Sequence, residues 1–190
     1  MLNKLKILSK IKSYFNPSSK IEEIIYNKAL LLSREKKFYI DFLVPDTIDG
    51  RFDMLCLSVS IFMIRIKKIG RENLELKESC KEINQKLFDA FFTDMDLTLR
   101  EMGVGDIGVS SRVKKMSEAF MGRLNSYTKA LEKRDFSHLE KSIARNVYRR
   151  TIVKKVDQEL SKKIYEIYDK ITHIEKVNFL DSNFNIKKLI

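Results

Sequence analysis

Apolar side chains recur every three or four residues along most of the chain, which is the spacing of one buried helical face. Turn-forming residues are scarce, with six Gly and two Pro among 190 residues. So few turns disfavour a sandwich or barrel of many short strands. The pattern therefore predicts an all-α fold: a single compact multi-helix domain with a central apolar helix, plus a basic helical C-terminal extension.

Two long helices are predicted in the first half of the chain. Ser19 followed by Glu22 has the pattern of a capping box and predicts a helix that continues to about Lys37. Residues 49–69 are apolar on nearly every side, which is typical of a helix buried in the centre of a domain. Gly70 is predicted to end this central helix.

Three acidic residues surround the start of the central helix: Asp46, Asp49 and Asp53. Carboxylates are favourable there because they accept hydrogen bonds from free backbone N–H groups and face the positive end of the helix dipole. Helix capping is therefore the first interpretation of all three.

The second half of the chain predicts further helices. A capping box that starts at Ser79 opens a helix to about Met102, and residues 103–109 form a glycine-rich loop. Ser110 or Ser111 is predicted to cap the helix that follows.

A third capping box starts at Ser137, and helical periodicity then continues to Ile174 in one or two helices. Residues 178–190 are predicted to be frayed.

Positive charge is concentrated at the two ends of the chain. The net charge is +11, of which residues 1–20 contribute +5 and residues 141–190 contribute +6, with twelve basic against six acidic residues. We therefore divide the chain into a basic N-terminal segment (1–20), a helical domain (21–150) and a basic C-terminal extension (151–190). The alternative functional class that these tails indicate is an RNA- or ribosome-binding helical module.

The N-terminal segment also has an amphipathic pattern. Read as a helix, residues 1–15 place their apolar side chains on one side and lysines on the other, which predicts weak, reversible contact with an anionic membrane surface. The apolar side consists of Ile7, Leu8, Ile11, Tyr14 and Phe15. The longest uncharged run of the central helix, residues 54–64, is too short to span a membrane. No continuous apolar stretch marks a secretory signal.

Candidate catalytic and metal-binding residues are few. The two cysteines and two histidines lie far apart and lack metal-ligand spacing, and no Ser/His/Asp set stands out. Residues 103–108 match G-x-G-x-x-G, but a helix rather than a strand precedes them, so a turn is favoured over a phosphate site. Asp89, Asp94 and Asp96 are interpreted as surface salt-bridge partners. The sequence predicts no enzyme activity and no cofactor.

Four stretches resemble the ubiquinol–cytochrome c chaperone family in order and spacing, within a match over about residues 21–150. They are residues 45–53 (PDTIDGRFD), residues 87–96 (LFDAFFTDMD), residues 99–109 (LREMGVGDIGV), and residues 114–116 (KKM) with 118–120 (EAF) and 122–123 (GR) behind them. The resemblance implies a non-enzymatic chaperone that holds newly synthesised cytochrome b during assembly of respiratory complex III. It implies contacts with the ribosome and a small partner protein, and no specific DNA.

The implied location is the cytoplasm, or the mitochondrial matrix in a eukaryote, with peripheral contact at the inner face of the inner membrane. The matching stretches also contain the residues that we predict to bind partners. Phe and Met side chains adapt to apolar clients, although packing in the core is the alternative for each of them. The predicted residues are Phe88, Phe91, Phe92, Met95, Gly103, Gly105, Asp106, Lys114 and Lys115.

Overall fold

A computed structural model describes residues 20–175, 179 and 186–189, in which the chain is helical and contains no strand. The predicted all-α fold is confirmed. The α-helices are α1 (Ile21–Ser33), α2 (Lys36–Ile40), α3 (Ile48–Glu72), α4 (Lys77–Glu101), α5 (Asp106–Lys133), α6 (Phe136–Asn146) and α7 (Lys155–His173). Two 3-10 turns cover Leu74–Leu76 and Ile186–Leu189.

Helix α3 lies at the centre and packs against α1, α4, α5 and α7. Its N-terminus is capped by Thr47, whose side-chain oxygen accepts a hydrogen bond from the backbone N–H of Gly50 at 3.1 Å. The predicted end at Gly70 is wrong, because α3 continues to Glu72. Gly70 instead permits close packing, since a Cβ atom there would lie 3.0 Å from the Cβ of Cys80 on α4.

Several predicted helix starts are also wrong. Helix α4 begins at Lys77, directly after a 3-10 turn, so Ser79 lies inside it. Helix α5 begins at Asp106, ahead of the serines predicted to cap it. Asp135, and not Ser137, caps α6 by accepting a hydrogen bond from the N–H of His138 at 2.9 Å.

The helix predicted to reach Lys37 is interrupted, because Glu35 has an extended conformation between α1 and α2. Ser19 and the amphipathic segment 1–15 lie outside the described residues. The same holds for most of residues 178–190, which were predicted to be frayed.

The periodicity that runs to Ile174 resolves into two helices. Helix α7 packs against α6 and α3, and its apolar face is buried. Asp157 fixes the start of α7 by accepting a hydrogen bond from the backbone N–H of Lys154 and pairing with Arg150. The basic C-terminal region therefore contributes a helix to the same hydrophobic core. The buried residues of α7 include Leu160, Ile164, Ile167 and Ile171.

Gly103 ends α4 in a left-handed conformation, with a φ of 80°. The N–H of Gly103 donates to the carbonyl of Arg100, and the N–H of Val104 donates to that of Leu99, which is the Schellman arrangement. At Gly103, the glycine motif therefore ends a helix and lets the chain turn towards α5. The loop is shorter than predicted, because α5 already begins at Asp106.

The Gly103→Ala substitution is expected to lower the free energy of unfolding by about 1 kcal/mol, because a Cβ atom disfavours a positive φ. The matched control is Gly122→Ala within α5, where a Cβ atom would meet nothing within 4 Å and alanine favours the helix. Chemical denaturation of both variants measures the difference. Equal effects would contradict the assigned role of Gly103.

Candidate functional site

Residues 45–53 form the end of the loop before α3 and the first turns of that helix. Gly50 lies so close to the preceding loop that a Cβ atom there would overlap the carbonyl oxygen of Pro45. The capping interpretation is wrong for Asp46, which pairs with Arg51, while Thr47 provides the cap. The guanidinium of Arg51 also lies 5.6 Å from the ring centre of Tyr39.

Asp53 has a different role from the helix cap that its position indicated. Its side chain is fully buried, and it accepts hydrogen bonds from Arg123 of α5 at 2.8 Å and from Arg149 at 3.0 Å. Arg149 also lies 3.5 Å from the exposed carboxylate of Asp49. Burial raises the pKa of Asp53, while the two guanidinium groups act in the opposite direction. This ion cluster ties α3 to α5 and to the segment between α6 and α7.

The aromatic residues of α4 mostly belong to the core. Phe91 and Phe92 are buried, and both contact Phe120 of α5, with ring centres 5.3 and 5.8 Å apart. Phe88 is half-buried and joins the same cluster. The structure thus places Phe91 and Phe92 between helices, where they hold α4 against α5, and neither lines an open surface.

An open apolar groove lies between α1, the start of α3, the end of α4 and the first half of α5. Its volume is about 750 Å³, within the range of about 300–1,000 Å³ typical of ligand pockets. Its apolar lining includes three methionines, whose flexible side chains adapt to varied partners. That lining includes Phe52, Leu55, Met95, Leu99, Met102 and Met116.

The groove has a cationic border. Two acidic side chains, Asp49 and Asp94, also line it. Asp94 accepts a hydrogen bond from the hydroxyl of Tyr26 at 2.6 Å. Burial, and then this hydrogen bond, raise the pKa of Tyr26. The cationic side chains are Arg34, Arg51, Arg112, Lys115, Arg123 and Arg149.

Of the residues predicted to bind partners, Met95 and Lys115 line this groove. Gly103, Gly105 and Asp106 form the exposed connection between α4 and α5, where Asp106 pairs with Arg100. Lys114 is exposed on α5 beside the groove-lining Lys115. The sequence analysis missed four other lining residues, Leu99, Met102, Met116 and Arg112. Leu99 and Met116 have the helical spacing of apolar-face positions, and this spacing is the signal that could have found them.

Among the acidic residues Asp89, Asp94 and Asp96 of α4, the predicted surface salt bridge is confirmed for Asp96. Asp96 pairs with Arg100, while Asp89 accepts a hydrogen bond from Gln85 at 2.9 Å. Across the part of the chain that the structure describes, no group of His, Cys, Asp or Glu side chains could hold a metal ion. Within the same residues, no helix is long and apolar enough to cross a membrane.

A serine and a histidine lie in hydrogen-bonding contact between α5 and α6. Ser126 Oγ lies 3.0 Å from His138 Nε2 and 2.7 Å from Ser142 Oγ. The nearby Asp135 bonds the backbone N–H of His138 and caps α6, so it does not orient the imidazole ring. The contact joins α5 to α6 and lacks the acid–base–nucleophile order of a hydrolase triad.

Comparisons with known proteins agree with this architecture. Residues 41–176 match the family model described as ubiquinol–cytochrome C chaperone. A crystal structure of the Cbp3 homolog from Brucella abortus is similar in fold, with a TM-score of 0.73 and 28% sequence identity over 99% of both chains. No curated protein matches the chain. The comparisons give no support to the alternative of an RNA-binding module.

Proposed function

Because the chain belongs to the ubiquinol–cytochrome c chaperone family, we propose that it holds newly made cytochrome b while respiratory complex III is assembled. The family is one of chaperones, and we propose that this member likewise catalyses no reaction. The observation that carries the proposal is the open apolar groove with its methionine-rich lining. A membrane protein that awaits its partners exposes apolar helices, and an adaptable apolar surface can cover one of them.

Large apolar side chains are exposed within the groove itself. Met102, at the end of α4, is 50% exposed and lines the groove. Ile48, at the start of α3, is 66% exposed and lines the groove. Large apolar side chains that surround a groove are typical of a protein interaction site.

A photo-crosslinking amino acid in the groove tests contact with the client. We expect p-benzoyl-phenylalanine at position 119 to form a crosslink to cytochrome b in growing cells, because Ala119 is exposed and lines the groove. The control is the same amino acid at position 129, since Lys129 is exposed on α5 outside the groove. Immunoblotting identifies the product. Equal crosslinking at both positions, or none at position 119, would contradict the assignment of the groove.

We also propose contacts with the ribosome, with a small partner protein and with an anionic membrane surface at the inner face of the inner membrane. Basic residues favour such anionic surfaces through charge. The N-terminal lysines that would contribute lie in residues 1–20, of which the structure describes Lys20 alone.

A further inference from the structure

Only some of the cationic side chains around the groove form ion pairs with described acidic residues. Arg51 is paired with Asp46, while Arg123 and Arg149 share the buried Asp53. The remaining groove cations are Arg34, Arg112 and Lys115. Among the residues that the structure describes, no ion pair involves these three side chains, and all three are exposed. The groove therefore combines an apolar floor with cations that are available to a ligand.

Two of these cations follow the groove along α5. Arg112, Lys115, Ala119 and Arg123 recur at three- and four-residue intervals, so they share one side of the helix. At 1.5 Å per residue, the distance from Arg112 to Arg123 is about 16 Å, or about three helical turns. The apolar side chains Met95, Leu99 and Met102 of α4 line the same groove. An occupant of about three turns with one apolar side and one anionic edge fits this arrangement.

We infer that the groove selects an apolar helical segment of the client that carries carboxylates along one edge, which Arg112 and Lys115 recognise. This inference rests on the proposed function and specifies the chemistry of the bound segment. Cytoplasmic loops of membrane proteins are enriched in Lys and Arg. A cationic border repels such loops, so it favours acidic apolar segments over the basic parts of the same client.

Three synthetic peptides test the inference on the full chain. Each is an amphipathic helix of about 12 residues, matched to the three-turn groove, with a Leu/Phe face and with Glu, Gln or Lys along one edge. The Glu peptide is expected to bind about threefold to tenfold more tightly than the Gln peptide at low salt, and the Lys peptide least tightly. High salt is expected to reduce the difference, because exposed charges are screened. Fluorescence anisotropy measures each dissociation constant.

A charge-matched pair of variants locates the effect. Arg112→Gln combined with Lys115→Gln is expected to abolish the preference for Glu, so that the Glu and Gln peptides bind this variant with equal affinity. Lys129→Gln combined with Lys133→Gln removes the same charge from exposed positions of α5 outside the groove, and it is expected to retain the preference. Thermal melting of both variants checks that each remains folded.

Equal affinity for the Glu and Gln peptides would overturn the inference, because these peptides differ in charge alone. The client proposal would still stand, since it does not depend on carboxylates in the bound segment. Loss of the preference in both double variants would overturn it as well, since the effect would then be nonspecific. If the peptides show no charge preference and Arg112→Gln with Lys115→Gln weakens binding to phosphatidylglycerol vesicles, the cations face lipid headgroups instead. The client proposal itself fails by a different result, an unchanged level of cytochrome b in a strain without this protein.

Discussion

The Asp53→Ala substitution is expected to lower the free energy of unfolding by about 3 kcal/mol. Removal of one partner of a buried ion pair leaves the other charge without compensation. Here Arg123, whose side chain is 16% exposed, would lose the carboxylate that it contacts at 2.8 Å. Its buried Nε atom already lacks a hydrogen-bond partner among the described residues. Chemical denaturation measures the change.

Asp49→Ala is the control for this prediction. Asp49 also lies near Arg149, but its side chain is 70% exposed. Its loss is expected to cost less than about 1 kcal/mol, because exposed ion pairs and first-turn charges contribute little. A similar loss of stability in both variants would show that the buried cluster is no stronger than a surface pair.

The Gly50→Ala substitution is expected to destabilise the fold by about 3 kcal/mol. A Cβ atom at this position would overlap the carbonyl oxygen of Pro45, and backbone atoms cannot move aside as a flexible side chain can. The strain would fall on the first turn of α3 and on the loop before it.

Gly122→Ala is a matched control that should change stability in the opposite direction. Gly122 lies within α5, and a Cβ atom there would meet nothing within 4 Å. Alanine is expected to stabilise the helix by about 0.5–1 kcal/mol. Thermal melting of both variants tests the pair, and a Gly50→Ala variant as stable as the parent protein would contradict the close contact.

The sequence predicted the helical class and the central helix because both depend on a pattern that persists over many residues. The apolar run of α3 leaves no side free for solvent, so its burial follows from spacing alone. The predicted starts at Ser79 and Ser137 were wrong because a capping box is a local pattern that also occurs inside helices. In the structure, a 3-10 turn precedes α4 and Asp135 provides the cap of α6.

The candidate site was harder to predict than the fold. Periodicity shows which side of a helix is apolar, but it does not show whether a neighbouring helix covers that side completely. Phe91 and Met95 share one face of α4, yet Phe91 is fully buried and Met95 is half-buried beside an open groove. The cluster around Asp53 was missed because its arginines lie 70 and 96 residues away in sequence. Only the packing of α5 and of the segment after α6 brings them together.

The most direct test of the central claim is the level of assembled complex III in a strain that lacks this protein. Cytochrome b absorbance and native gels of membranes should show loss of cytochrome b and of the complex, while other respiratory complexes persist. The unaltered gene should restore both, and a Met116→Asp variant, which places a charge in the apolar groove, should restore them only weakly. Normal cytochrome b and complex III in the deletion strain would contradict the chaperone assignment.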